Sequence, residues 1–140
     1  MGLNADVVMN KAAVIERCLL RIQEVYQGDP ENLNDFTKQD SMILNIQRAC
    51  EASIDLAMHV VSSEKLGLPQ SSRDAFEILE QTRHLDSELT HQLKAMVGFR
   101  NLAVHAYQEI NLEILQVIIE GKLSTLTQFK RWVFALLPSE

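Results

Sequence analysis

The sequence has few of the residues that interrupt regular structure, with five glycines and three prolines among 140 residues. A sheet protein with many tight turns needs more of both, because tight turns depend on glycine and proline. The composition, 46% hydrophobic and 23% charged, is that of an ordinary globular protein, and it excludes a disordered chain or a collagen-like repeat. We therefore expect a single domain, residues 1–140, built from helices.

Cysteines and long apolar segments are also scarce. The two cysteines, Cys18 and Cys50, are too few for the disulfide framework of a secreted protein, and they lack the paired spacing of a zinc site. We expect both to be small side chains of the core. The N-terminus lacks the features of a signal peptide, and no apolar run reaches the roughly 20 residues that a membrane span needs. These absences predict a cytoplasmic protein without a membrane contact.

Acidic residues outnumber basic ones, and the formal net charge is -6. This balance argues against a broad non-specific nucleic-acid binder, which usually has a basic face. Residues 89–108 nevertheless contain no acidic residue, and two basic side chains and two histidines lie there. Residues 121–139 also contain no acidic residue. An acidic protein of this kind can still receive an anion locally.

Apolar residues recur at helical spacing along most of the chain, which predicts an all-α fold. Glycine, proline and capping residues divide this pattern into about five to six helices, which we expect to form an antiparallel bundle. The predicted helices are a first one ending at residues 28–30, a second from near Thr37 to residues 66–69, a third capped by Ser71 or Ser72, a fourth from about Glu88 to Tyr107 after a break and cap at Asp86-Ser87, a fifth capped by Asn111, and a last one that starts near Leu123.

The string GFRNLAVHAY at residues 98–107 places Arg100, Asn101, His105 and Tyr107 in the acid-free part of the chain. Arginine offers a planar fork that suits phosphate, and histidine is readily poised for acid–base work near neutral pH. On one helix Arg100 and Tyr107 lie about 20° apart, whereas Arg100 and His105 lie about 140° apart. Arginine and histidine can then converge only if the helix ends or bends between them, or if a second chain completes the site. The alternative is a structural histidine near a helix end, with an amphipathic tyrosine that closes the helix.

This motif lies in a chain whose second predicted helix reads LNIQRACEASID at residues 44–55. Together with MVGF before Arg100 and NLEILQVII at residues 111–119, the Arg-x4-His-x-Tyr pattern resembles the HepT-like branch of the HEPN superfamily. The resemblance covers nearly the whole chain and includes Asn101. It implies a HEPN-type bundle assembled as a symmetric dimer.

The resemblance also implies a function. Members of this family are metal-independent ribonucleases without a cofactor, and they are the toxins of type VII toxin–antitoxin pairs. By resemblance, Arg100 and His105 of two subunits meet in a cleft, with Asn101 in a supporting role. The expected partners are an RNA substrate, a second copy of the chain, and a minimal nucleotidyltransferase antitoxin that silences the toxin by transferring AMP to Tyr107.

The chemistry of RNA cleavage is consistent with these residue types. When a ribose 2′-hydroxyl attacks the adjacent phosphate, a base must take its proton, an acid must protonate the leaving 5′-oxygen, and a cation must stabilise the charged phosphorane. We therefore predict that His105 is the acid–base residue and that Arg100 stabilises the phosphate. The alternative function is a non-catalytic helical module that docks a nucleotidyltransferase.

Other polar pairs have simpler explanations. Glu88 and His91 have the Glu-x-x-His spacing of carboxylate-bridged metal bundles, but such sites need two pairs and two further glutamates, so we predict no metal site. We assign no role to His59 or His84. Gly98 lowers helix stability and could permit a close approach, either between subunits or within the chain.

A polar set on the second predicted helix has the spacing of neighbours on one helix; surface ion pairs are the expected explanation, and a buried polar pairing or a dimer contact is the alternative. This set is Asn45, Arg48, Glu51 and Asp55.

Overall fold

The computed structural model describes residues 2–138, and this part of the chain contains six α-helices and no strand. Two short 3-10 helices, Pro30–Asn34 and Tyr107–Glu109, lie in the connections. The α-helices are α1 (Ala5–Tyr26), α2 (Phe36–Ser63), α3 (Ser72–Arg83), α4 (Ser87–His105), α5 (Leu112–Gly121) and α6 (Ser124–Phe134). The all-α prediction is confirmed.

Local capping residues set most helix boundaries. The side-chain oxygens of Ser71, Asp86 and Asn111 accept backbone N–H groups in the first turns of α3, α4 and α5, as the sequence predicts. After α1, Gln27 and Gly28 take left-handed conformations, with φ of 55° and 68°, and such a conformation ends a helix.

Helices α1 and α2 form the predicted antiparallel pair. The backbone N–H of Asn4, at the start of α1, donates to Nε2 of His59 near the end of α2 at 3.1 Å. Lys11 Nζ lies 2.9 Å from the Asp55 carboxylate, one to two turns further along the pair. Since the start of one helix contacts the end of the other, the two run in opposite directions.

Large apolar side chains from all six helices are buried in one hydrophobic core. Phe76 of α3 and Phe129 of α6 meet edge to face with ring centroids 5.2 Å apart. Cys18 and Cys50 are buried free thiols in this core, as predicted. No helix within residues 2–138 has the length and apolar character needed to cross a membrane.

Candidate functional site

Helix α4 carries most of the motif and ends earlier than predicted. It continues through His105, and Ala106 then leaves the helical region with φ of -148° and ψ of 51°. Tyr107 therefore begins a separate 3-10 helix, and the prediction that the helix reaches Tyr107 is wrong by two residues. The Tyr107 hydroxyl contacts Asp40 of α2, a tertiary contact that no local propensity encodes.

Arg100 is held in a defined position on the side of α4 that faces α2. Its Nε donates to a carboxylate oxygen of Glu51 at 3.2 Å, and its Nη1 donates to the Asn101 side-chain oxygen at 3.0 Å. Arg100 is half-buried, with 29% of its side chain exposed. These two contacts orient the guanidinium while leaving Nη2 without a hydrogen-bond partner among residues 2–138. An edge of the guanidinium is thus available to an anion.

His105 is the last residue of α4, and its side chain is exposed. Because α4 continues from Arg100 to His105, the two side chains leave the helix about 140° apart. Asn101 lies between them, about 100° from Arg100 and 40° from His105. Within one chain, therefore, the structure brings Arg100 and Asn101 together and directs His105 to another side of the helix.

Tyr107 reaches α2 by a different route from Arg100. Its hydroxyl donates to the Asp40 carboxylate, and 42% of the residue is exposed. Partial burial, together with the hydrogen bond and negative charge of Asp40, raises the pKa of Tyr107 from 10.0 to about 12. The phenol therefore remains protonated at neutral pH.

The predicted alignment of Arg100 and Tyr107 on one helix face is wrong, because they do not share a helix. Their partners Glu51 and Asp40 lie eleven positions apart on α2, which places both partners on one face of α2 but about 16 Å apart along its axis. The arginine and tyrosine contacts are thus two separate points along α2.

Sequence reasoning missed the partners of both motif residues. Glu51 belongs to the polar set for which surface ion pairs are expected, but it pairs across helices with Arg100. Asp55 of the same set pairs with Lys11, and the side-chain amide of Asn45 donates to the carbonyl of Ser41. The spacing identified the polar positions of α2, whereas the partners come from distant parts of the chain.

An apolar groove of about 720 Å³ lies beside the motif, between α4 and α5. Its lining includes Phe99, Leu102, Ile114 and Val117. Ile114 and Val117 are 45% and 56% exposed. We call the surface formed by these four residues the α4–α5 patch.

The remaining histidines have other positions. His59 anchors the start of α1, His84 ends α3 in a left-handed conformation with φ of 60°, and His91 lines the groove between α4 and α5. Glu80, four residues before His84, accepts a hydrogen bond from Ser87 Oγ at 2.5 Å. Within residues 2–138, no group of three or more His, Cys, Asp or Glu side chains is arranged to hold a metal ion.

Comparisons with known proteins identify the family of this chain. The family model described as Ribonuclease HepT-like matches residues 15–133. The mRNA nuclease HepT of Shewanella oneidensis is 49% identical over 124 residues, covering 89% of this chain and 93% of the relative.

Solved structures of toxin–antitoxin complexes are also similar. A tri-AMPylated Shewanella oneidensis HEPN toxin in complex with an MNT antitoxin superposes with a TM-score of 0.88 at 49% identity, covering 93% of this chain and 98% of that one. A toxin–antitoxin structure with AMP-PNP has the same TM-score and coverage at 48% identity. This chain therefore belongs to the Ribonuclease HepT-like family of HEPN proteins.

Proposed function

We propose that this chain is a metal-independent endoribonuclease and the toxin of a toxin–antitoxin pair. The observation that carries the proposal is the 49% identity to an mRNA nuclease over nearly the whole chain. The orientation of Arg100 within the Arg-x4-His-x-Tyr motif, with one edge available to an anion, supports it. Free buried thiols and an RNA substrate are both consistent with a cytoplasmic location.

In the proposed reaction, His105 takes the proton of the ribose 2′-hydroxyl as its oxygen attacks the adjacent phosphorus. The bond to the 5′-oxygen breaks, and an imidazolium returns a proton to that oxygen, leaving a 2′,3′-cyclic phosphate and a 5′-hydroxyl. Arg100 stabilises the charge of the phosphorane, and Glu51 and Asn101 hold its guanidinium in place. Neither step needs a cofactor.

The site that we propose is shared between two copies of the chain. Arg100 and His105 diverge on α4, so one phosphate is best reached by the arginine of one subunit and the histidine of its partner. Phe99 and Leu102 of the α4–α5 patch lie on this same helix, and we propose that a second copy covers the apolar patch. A symmetric dimer brings two such helices together about a two-fold axis.

Regulation is proposed to act at Tyr107. In adenylylation the phenolic oxygen bonds to the α-phosphorus of ATP, pyrophosphate leaves, and the phenolic proton is released. The product places bulk and a negative charge two residues after His105, where it repels RNA. It also abolishes the hydrogen bond to Asp40, because the modified oxygen has no proton to donate. The proposed donor of AMP is a minimal nucleotidyltransferase antitoxin.

Cleavage of a defined RNA oligonucleotide in the presence of a chelator tests the activity. We expect intact-mass analysis to show cyclic phosphate and 5′-hydroxyl ends, and Arg100→Ala and His105→Ala each to reduce the rate roughly 100-fold or more. Matched controls are Arg17→Ala, an exposed arginine of α1, and His84→Asn, which keeps a residue that tolerates the left-handed conformation. Wild-type rates for the two motif variants would overturn the assignment.

The alternative is a non-catalytic docking module, and the exposed α4–α5 patch is the observation that favours it. Expression of the chain alone separates the two functions. A ribonuclease arrests growth and loses this effect on His105→Ala, whereas a docking module does neither.

A further inference from the structure

Arg73 of α3 lies directly against the backbone of α4. Its Nε donates to the carbonyl oxygen of Lys94 at 3.2 Å. A Cβ atom built at Gly98 would be 2.8 Å from Nη2 of Arg73, which is closer than real Cβ contacts. Glycine in a helix lowers stability by about 1 kcal/mol relative to alanine. A side chain at Gly98 would therefore require the flexible end of Arg73 to shift.

The side of α4 that Arg73 contacts is also the side that carries His105. Lys94, Gly98, Asn101 and His105 are separated by four, three and four positions, so they lie within about 60° of one another around the helix. Asn101 and His105 follow Gly98 by about 4.5 Å and 10.5 Å along the axis. Arg73 therefore extends the motif along the same side of α4, two turns before His105.

The guanidinium of Arg73 is exposed, and residues 2–138 supply no carboxylate for it. Its hydrogen bond to Lys94 uses Nε alone and leaves the two terminal nitrogens free of protein acceptors in that range. The neighbouring Lys94 ammonium, by contrast, pairs with Glu77. The adjacent Asp74 carboxylate turns to the backbone N–H of Gln70 at 2.8 Å. Arg73 thus has an unused fork that matches a phosphate.

We propose that Arg73 is a substrate-binding residue that holds an RNA phosphate next to the scissile one. This inference rests on the proposed ribonuclease activity, and it adds a direction to the substrate: the strand runs along α4, from His105 towards Gly98. The residue does not take part in bond breaking. Substrates with a phosphate beyond the scissile one benefit from it, and a dinucleoside monophosphate, which has only the scissile phosphate, does not.

The test compares cleavage of these two substrates by the protein as purified. We expect Arg73→Ala to lower kcat/KM for an oligoribonucleotide about 10- to 100-fold, because a charged hydrogen bond is lost, mainly through KM. Cleavage of a dinucleoside monophosphate should be unchanged. The slope of log K against log salt for binding of an uncleavable single strand should become shallower by about 0.7, the loss of one phosphate contact. Arg17→Ala, at an exposed arginine of α1, should move none of these readouts.

A double-mutant cycle tests the contact with Gly98. Gly98→Ala requires the flexible guanidinium to shift, and any loss of oligonucleotide cleavage that this shift causes in the parent should vanish in the Arg73→Ala background. An equal loss on both substrates would make Arg73 a merely structural residue, and no loss on either would exclude an RNA contact; both results overturn the inference. If His105→Ala cleaves RNA as fast as the parent, the proposed activity fails instead, and the salt slope of RNA binding still decides the role of Arg73.

Discussion

Mixing two inactive variants tests whether a cleavage site takes Arg100 from one subunit and His105 from the other. The perturbation is a heterodimer in which one subunit carries Arg100→Ala and its partner carries His105→Ala. One of the two shared sites then lacks both groups, while the second retains an intact arginine and an intact histidine. If each site lay within one chain, both sites would be defective.

The expected activity of the heterodimer follows from the geometry of α4. Side chains that leave a helix about 5 Å from its axis, rotated by 140° and displaced by five residues, point to positions about 12 Å apart. One phosphate group is too small to span that distance, because its oxygens must lie near 3 Å from both the guanidinium and the imidazole. Two-fold symmetry makes the two shared sites equivalent, so the heterodimer should have about half of the parent activity.

The assay uses two affinity tags, so that only heterodimers survive tandem purification, with RNA cleavage measured at a fixed dimer concentration. Each variant homodimer should be reduced roughly 100-fold or more. A doubly tagged heterodimer of two parent subunits is the matched control. A variant heterodimer that is as inactive as its two homodimers, while that control is active, would refute the shared site.

Four further outcomes are expected. After incubation with the nucleotidyltransferase partner and ATP, peptide mass spectrometry should find adenylate on the peptide that contains residue 107 in the parent but not in Tyr107→Phe. Equal modification of this peptide in both proteins would contradict the assignment. Asp40→Asn should lower the pKa of Tyr107 from about 12 towards 10.0 in a titration of tyrosinate absorbance. Between these pH values the folded phenol keeps a proton that the unfolded phenol loses, so the free energy of unfolding of the parent should fall as pH rises through this window. The fall should be smaller in the variant. Val117→Lys, in the α4–α5 patch, should dissociate the dimer in sedimentation analysis, whereas Leu68→Lys at an 86% exposed position should not; equal behaviour would place the interface elsewhere. Phe129→Ala should lower the free energy of unfolding by about 3–5 kcal/mol in urea titration, because the ring is fully buried; a loss below about 1 kcal/mol would show that the core relaxes around the cavity.

Much of the fold was accessible from the sequence because its signals are local. Capping side chains such as Ser71, Asp86 and Asn111 accept backbone N–H groups three residues further along the chain, so their effect is readable from a short segment. The end of α4 has no comparable signal. His105, Ala106 and Tyr107 are followed by neither glycine nor proline, and the helix ends where Tyr107 turns to a residue of α2.

The candidate site divides in the same way. Arg100 and His105 were identifiable from residue type and spacing, and their divergence around one helix follows from helical geometry alone. Their surroundings were not identifiable. The Glu51 carboxylate that orients Arg100 lies 49 positions away in the chain, and the Arg73 side chain that covers Gly98 comes from a different helix.

The sequence by itself determined the helices, their caps, the apolar positions of the core and the residue types of the motif, because each depends on neighbours within a few positions. The tertiary structure alone decided where α4 ends, which carboxylates hold Arg100 and Tyr107, and that Arg73 reaches the surface of His105. These contacts join residues from separate helices, and their pairing depends on how those helices pack against one another.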